Sequence, residues 1–247
     1  KYLINKQQYN LLKEQEEQVL SFPFSIFNND WNLVLSVMKG KPFRILGDLD
    51  LDKSNIKSLG NLQSVSGVLN LYETPIESLG SLKSVGDKLT LSQTKIQSLG
   101  DLQSVGGYLD LAYSKIESLG NLESVGHTLS LYKSNIKSLG SLKSVGGDLD
   151  LAGSTIRFLG SLRSVGGSLY LQKTKIKSLG NLESVGGSLF LPYSEVRSLG
   201  NLKSVGGDLN LRDTLISKKY SEDQIRQMVD VKGEIYPYFY KKNILNI

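Results

Sequence analysis

From residue 49 onward, leucines stand two apart in pairs that recur every twenty positions: 49/51, 69/71, 89/91, 109/111, 129/131, 149/151, 169/171, 189/191 and 209/211. Each Leu-x-Leu triplet puts its leucines on one face of a short strand and the middle residue on the other. Five residues after the second leucine comes an isoleucine or valine, from Ile56 to Ile216. A Ser-Leu-Gly phrase, another leucine (Leu62 to Leu202) and a valine (Val65 to Val205) complete the unit. The pattern predicts nine short strands, each backed by a tight return. One unit has too few aliphatic side chains to offset the ordering of its own backbone. Its stability must come from stacking on its neighbours. Nine turns at a strand spacing of ~4.8 Å make a stack of about 40 Å.

Glycines punctuate each unit. Gly60 and its equivalents close the Ser-Leu-Gly phrase, and a Gly-Gly pair such as Gly106-Gly107 precedes most strands. Both read as corners that need positive φ or close backbone approach. Asp87 and His127 replace the second glycine of the pair. Both residue types tolerate left-handed geometry better than most, so the single histidine reads as a turn residue and not as a catalytic base.

A stack of this kind needs covers at both ends. Residues 1–47 are expected to form an N-terminal helical cap, with helices over 6–20 and 31–39. Asn29/Asp30 and Gly40 bound the second helix, and Phe22, Phe24, Phe27, Trp31 and Phe43 plug the end. Residues 48–216 form the solenoid. Residues 217–247 form the C-terminal cap: a helix from the Ser221/Gln224 capping box to about Val231, a stop at Gly233, and an aromatic tail reading as a closing strand.

The string L-x-L-x-x-[S/T]-x-I resembles the strand half of a leucine-rich repeat, and nine copies from Leu49 to Ile216 carry the resemblance. It departs from that pattern in the leading position, which is a valine one place earlier, and in the asparagine ladder. Here the ladder is Ser54, Thr74, Thr94, Ser114, Ser134, Ser154, Thr174, Ser194 and Thr214. The resemblance implies a repeat solenoid, mainly β: a right-handed stack whose strands line a concave face, with short helical caps. The return segments are short, which implies turns or 3₁₀ pieces on the back instead of full helices. The phrase "SLGNLKSVGG" also resembles short repeats of bacteriophages and some bacteria, and "KYLINKQQYNLL" resembles the start of many phage proteins. This implies a place in the cytoplasm of an infected cell or on a virion.

Composition narrows the function classes. The chain lacks cysteine, which excludes disulfides, thiolate metal sites and cysteine nucleophiles. No phosphate loop, metal-binding histidine pair or hydrolytic triad is written in it, so neither enzyme activity nor a cofactor nor a metal is expected. Asp48, Asp50 and Asp52 alternate on one strand, but Val68, Asn70 and Tyr72 beside them do not complete an oxygen cage. No apolar run is long enough for a signal peptide or a membrane span, so membrane insertion is not expected.

The net charge of +5 conceals a segregation. Positions 48, 50, 52 and 53 of each unit should face outward from the strand. They hold nine acidic and five basic residues, whereas the rest of 48–216 holds seven acidic and twelve basic. The same columns carry Tyr72, Tyr108, Tyr113, Tyr132, Tyr170, Phe190 and Tyr193, leaving Phe158 as the one aromatic of the repeats elsewhere. Tyrosine brings large contact area, few rotors and a polar tip. With Asp110 and Asp150, these aromatic residues are the candidate partner-binding site, and a protein is the expected partner. A rigid spacer or virion decoration, with the aromatics merely stabilising the sheet, is the alternative. On another side Lys137, Arg157, Lys177 and Arg197 share one column, with Arg163 and Lys203 nearby and Glu183 and Glu195 offsetting them. That stripe is a solvated edge or a contact for an acidic protein or nucleic acid; no nucleic-acid-binding motif supports the latter. The sequence names neither the partner nor the oligomeric state.

Overall fold

A computed structural model describes residues 19–236. Each twenty-residue unit closes one turn of a parallel β-solenoid and contributes to two sheets. Among the described residues the front sheet has ten strands, nine built on the Leu-x-Leu phrase, such as Leu109–Asp110 and Leu129–Ser130. The back sheet has eleven, eight built on the Ser-Val phrase, such as Ser104–Val105 and Ser124–Val125. Equivalent residues pair across successive turns: Leu109 with Leu129, Val105 with Val125. The turns and 3₁₀ pieces expected on the back are therefore replaced by a second sheet. Extended backbone there can hydrogen-bond to both neighbouring turns, which an isolated turn cannot. Isolated bridges such as Ser98 to Ser118 add a broken third ladder.

The inward leucines, isoleucines and valines form one continuous core, with Leu109, Leu111, Ile116 and Leu122 fully buried. The hydroxyl ladder also faces inward. In seven turns it donates to the carbonyl of the leucine three residues back, as Thr94 Oγ1 does to Leu91 at 2.7 Å. The buried hydroxyls of Ser134 and Ser194 have no partner, and nothing in the structure explains that difference.

Of the two roles that the sequence left open for the Gly-Gly pairs, the structure shows close approach and not left-handed geometry. Neither glycine of a pair has positive φ, and neither do Asp87 and His127, so tolerance of that geometry does not account for these two residues. The first glycine is required by close approach instead. A Cβ on Gly126 would lie 1.9 Å from the Gly106 carbonyl oxygen, and the equivalents from Gly86 to Gly206 are within 2.1 Å of theirs. The left-handed corners lie at Gly60 through Gly200 (φ 56–59°) and at position 53 of each unit.

The ends extend the sheets with irregular turns. Leu20–Pro23 pairs with Phe43–Leu46, which pairs with Leu62–Val65. Leu20 is thus in a strand and not in the helix expected over 6–20; residues 6–18 of that helix lie outside the described residues. Helix α1 (Trp31–Met38) starts at Asp30, whose carboxylate accepts the Leu33 amide at 3.1 Å. Phe22 lies 4.9 Å from Phe27 and stacks 5.8 Å from Phe43, while Trp31 lies 5.9 Å from Phe43, all buried over the first turn. At the other end, helix α2 (Leu215–Lys219), which the sequence pattern did not predict, follows a Thr214 cap. Helix α3 (Glu222–Met228) carries the Ser221/Gln224 capping box but stops before Val231, because Asp230–Val231 joins the back sheet beside Ser204–Val205. Gly233 is no helix stop: it sits in the glycine-pair column, where a Cβ would be 2.7 Å from Gly207 carbonyl carbon. Ile235–Tyr236 joins the front sheet beside Leu209–Asn210. The rest of the aromatic tail lies outside the described residues.

Two kinds of glycine should respond differently to alanine. Gly126→Ala sets a methyl against a backbone oxygen and should destabilise by about 4 kcal/mol or more. Gly140→Ala, left-handed but with open space around its Cβ, should lose about 1 kcal/mol. Urea denaturation of the two variants checks the order; equal losses would contradict it.

Candidate partner-binding surfaces

Two sides of the solenoid carry the candidate residues. On the front sheet, the aromatic residues meet in pairs. Tyr113 and Tyr132 pack edge to face at 5.4 Å, with Lys133 Nζ over both rings at 5.5 and 5.1 Å. Tyr170 and Phe190 stack at 5.0 Å with ring planes 2° apart, as expected for side chains on adjacent in-register strands. Tyr72 accepts a hydrogen bond from Gln93 Nε2 at 3.1 Å, and Lys88 Nζ lies 5.5 Å from the Tyr108 ring centre. Burial, and then the Asp110 carboxylate, push the Tyr108 hydroxyl pKa up. Tyr72, Tyr108, Tyr132, Tyr170 and Phe190 are half-buried in this face, whereas Tyr113 and Tyr193, at the corner beside it, are 61% and 54% exposed.

Much of the acidity of this face serves the backbone. Back-sheet amides donate to the preceding turn, as Gly107 does to Asp87, and front-sheet amides to the following one, as Leu109 does to Thr128. The amide between them sits at the reversal. Side-chain oxygens of the previous turn accept it at five places: Asp48 takes Val68 (2.8 Å), Asp148 takes Ser168 (2.7 Å), Ser168 takes Ser188, Ser188 takes Asp208 and Asp208 takes Glu234. Two positions on, Asp110 and Asp150 each accept the amide two residues later, at 3.0 and 2.9 Å, and Asn70 and Asn210 do the same. These are Asx turns. Asp110 Oδ2 also accepts from Ser92 Oγ at 2.9 Å. The candidate carboxylates Asp110 and Asp150 thus lie among the aromatics but are engaged within the turn.

The basic stripe divides. Arg163 and Lys203 both pair with Glu183, at 3.0 and 2.6 Å, and these cations hold the Glu183 carboxyl pKa below its ordinary value. They do not join the stripe's other members. Lys137, Arg157 and Lys177, together with Lys175, line two adjoining grooves around Phe158. Arg197 borders a separate recess against Tyr220 and Met228. Phe158 and Lys175 were not among the candidate residues. The available signal was the replacement of a serine by Phe158 in an otherwise regular phrase.

No protein-family model and no curated protein matches this chain. Among the described residues, no helix is long and apolar enough to cross a membrane.

Asp150 generates a pH-dependent prediction. Burial raises its carboxyl pKa, and the hydrogen bond from the Ala152 amide offsets this only in part. A carboxyl that holds its proton more tightly when folded favours the fold most below its ordinary value of 3.8. That contribution is lost as pH rises through the raised value. Asp150→Asn keeps the acceptor that Asn70 and Asn210 provide and removes the charge. Its denaturation midpoint should exceed the parent's at about pH 7 and lose that advantage by about pH 3. A midpoint below the parent's at neutral pH would contradict this assignment.

Proposed function

We propose that the chain is a non-enzymatic binding protein, leucine-rich-repeat-like in type and phage-encoded, that grips a protein partner with its tyrosine-rich strand face. It acts in the infected cell or on the virion. The observation that carries this reading is the corner row beside that face. Lys53, Glu73, Gln93, Tyr113, Lys133, Lys173, Tyr193 and Asp213 all have φ between 51° and 59°, and glycine occurs there only at Gly153. A side chain in left-handed backbone costs about 1 kcal/mol. The other left-handed corner of each turn is glycine throughout, including Gly100, Gly140 and Gly180, where a Cβ would meet open space. Backbone geometry alone would favour glycine in both rows. Side chains held at a cost, varied from turn to turn and including two exposed tyrosines, fit a recognition surface.

The main alternative, a rigid spacer or virion decoration, draws on the carboxylates engaged in Asx turns and on the ring stacks between strands. It accounts for Tyr113, Lys133 and Gln93, which make ring, cation or hydrogen-bond contacts there, but not for side chains in left-handed backbone on eight of the nine turns. Partner identification tests the choice. The wild-type chain, used as bait in cells of its natural host, should recover a protein that binds it when both are purified. Tyr113→Ser/Tyr132→Ser should weaken that affinity by about thirtyfold or more and keep the far-ultraviolet circular dichroism of the parent. Unchanged affinity in the double variant, or no recoverable partner, would overturn the proposal.

A further inference from the structure

Phe158 breaks a rule that the other turns keep. Ser58, Ser78, Ser98, Ser118, Ser138, Ser178 and Ser198 occupy its position, and each hydroxyl accepts the amide of the corner glycine two residues on, at 2.9–3.2 Å. Phe158 has no oxygen to offer Gly160. The chain therefore forgoes a hydrogen bond of about 0.5–1.5 kcal/mol. It also leaves an apolar ring 66% exposed, the most exposed large hydrophobic residue among those described. Neither change benefits the fold. A local rule broken without compensation marks a functional position.

The surroundings of the ring indicate what it meets. Arg157, Lys175 and Lys177 line the groove on one side of Phe158 and Lys137 the adjoining one. Arg157, Lys175 and Lys177 form no ion pair with any described residue, and Lys137 reaches Glu117 only at 3.9 Å with both side chains largely exposed. Four cations around one exposed ring complement a ligand that combines carboxylates with an apolar group.

We propose that this groove binds an extended acidic peptide segment of a partner protein. An apolar side chain of the segment packs on Phe158, and flanking carboxylates pair with Lys137, Arg157, Lys175 and Lys177. A peptide is favoured over single-stranded nucleic acid for two reasons. Nucleic-acid channels stack successive bases on several aromatic side chains, and the grooves contain one ring. Arg163 and Lys203 are already held by Glu183, so the free cations do not extend into the longer track that a continuing phosphate chain would follow.

Fluorescence anisotropy on the full chain tests the assignment, with a labelled oligoglutamate peptide carrying one central tryptophan and labelled oligo-dT as separate probes. The peptide should bind at low salt and weaken as salt is added. Phe158→Ser should weaken peptide binding about tenfold or more while raising the denaturation midpoint, because it restores the acceptor for Gly160. Arg157→Glu should weaken the peptide similarly. Tyr113→Ser/Tyr132→Ser should leave peptide binding unchanged, which separates this groove from the tyrosine face. The proposal is overturned by absent peptide binding, by equal binding to Phe158→Ser, by a lowered midpoint in that variant, or by tighter binding of oligo-dT than of the peptide.

Discussion

Backbone hydrogen bonds leave each turn in both directions along the stack. The back sheet donates to the turn before, as Gly126 does to Val105, and the front sheet donates to the turn after, as Leu129 does to Asp148. A turn without neighbours would have unsatisfied groups on both of its faces, and burying such groups costs about as much as losing the bonds themselves. This mutual dependence explains the strict period. One residue more or less would move the Leu-x-Leu pair to the wrong face and separate the glycine from the carbonyl it must approach. Inward leucines then only have to repeat, since each meets its own copy at strand spacing.

The same constraint determines where variation is tolerated. Core positions repeat, and the first glycine of each pair is closed to any Cβ by the turn before it. The outward front-sheet positions and the corner beside them are open to side chains. Asp48, Asp148 and Asp208 accept the amide left at the reversal of hydrogen-bond direction. Tyrosines and lysines fill the remaining space, in stacks that follow the strand spacing. The side of the third ladder is plainer, with serines accepting the corner glycine amides, and Phe158 is the departure from it. Two surfaces of different chemistry are thus available on one scaffold: aromatic and turn-engaged acids at the front, and an exposed ring among cations on the side of the third ladder.

The solenoid was legible in the sequence because its strongest signal, inward aliphatic residues every twenty positions, is also its main source of stability. Other features were not legible, for identifiable reasons. A back strand such as Ser104–Val105 carries one inward aliphatic residue, so no alternating pair marks it as Leu-x-Leu marks the front. A glycine letter does not say whether φ or a neighbour's oxygen forbids the Cβ, so sequence alone leaves both roles open for the pairs. Position 53 is left-handed in all nine units, yet holds glycine only at Gly153 and lysine, tyrosine, glutamine, glutamate or aspartate elsewhere, so it gave no glycine signal. Helix α2 spans five residues and begins beside Ile216, which the repeat pattern had already claimed. The turn-forming role of Asp110 and Asp150 had a cue in Asn70 and Asn210 of the same column, because asparagine offers the same short oxygen but no charge.

If every turn depends on in-register neighbours, the stack should accept loss of a whole unit and reject loss of a fraction. The most direct measurement is a pair of deletions, residues 121–140 and residues 121–130, followed by circular dichroism and urea denaturation. The whole-unit deletion should retain the parent's spectrum per residue and a single cooperative transition, because Gly120 then meets Ser141 in register. The half-unit deletion should lose both. Comparable folding of the two deletions, or collapse of the whole-unit deletion, would contradict the account.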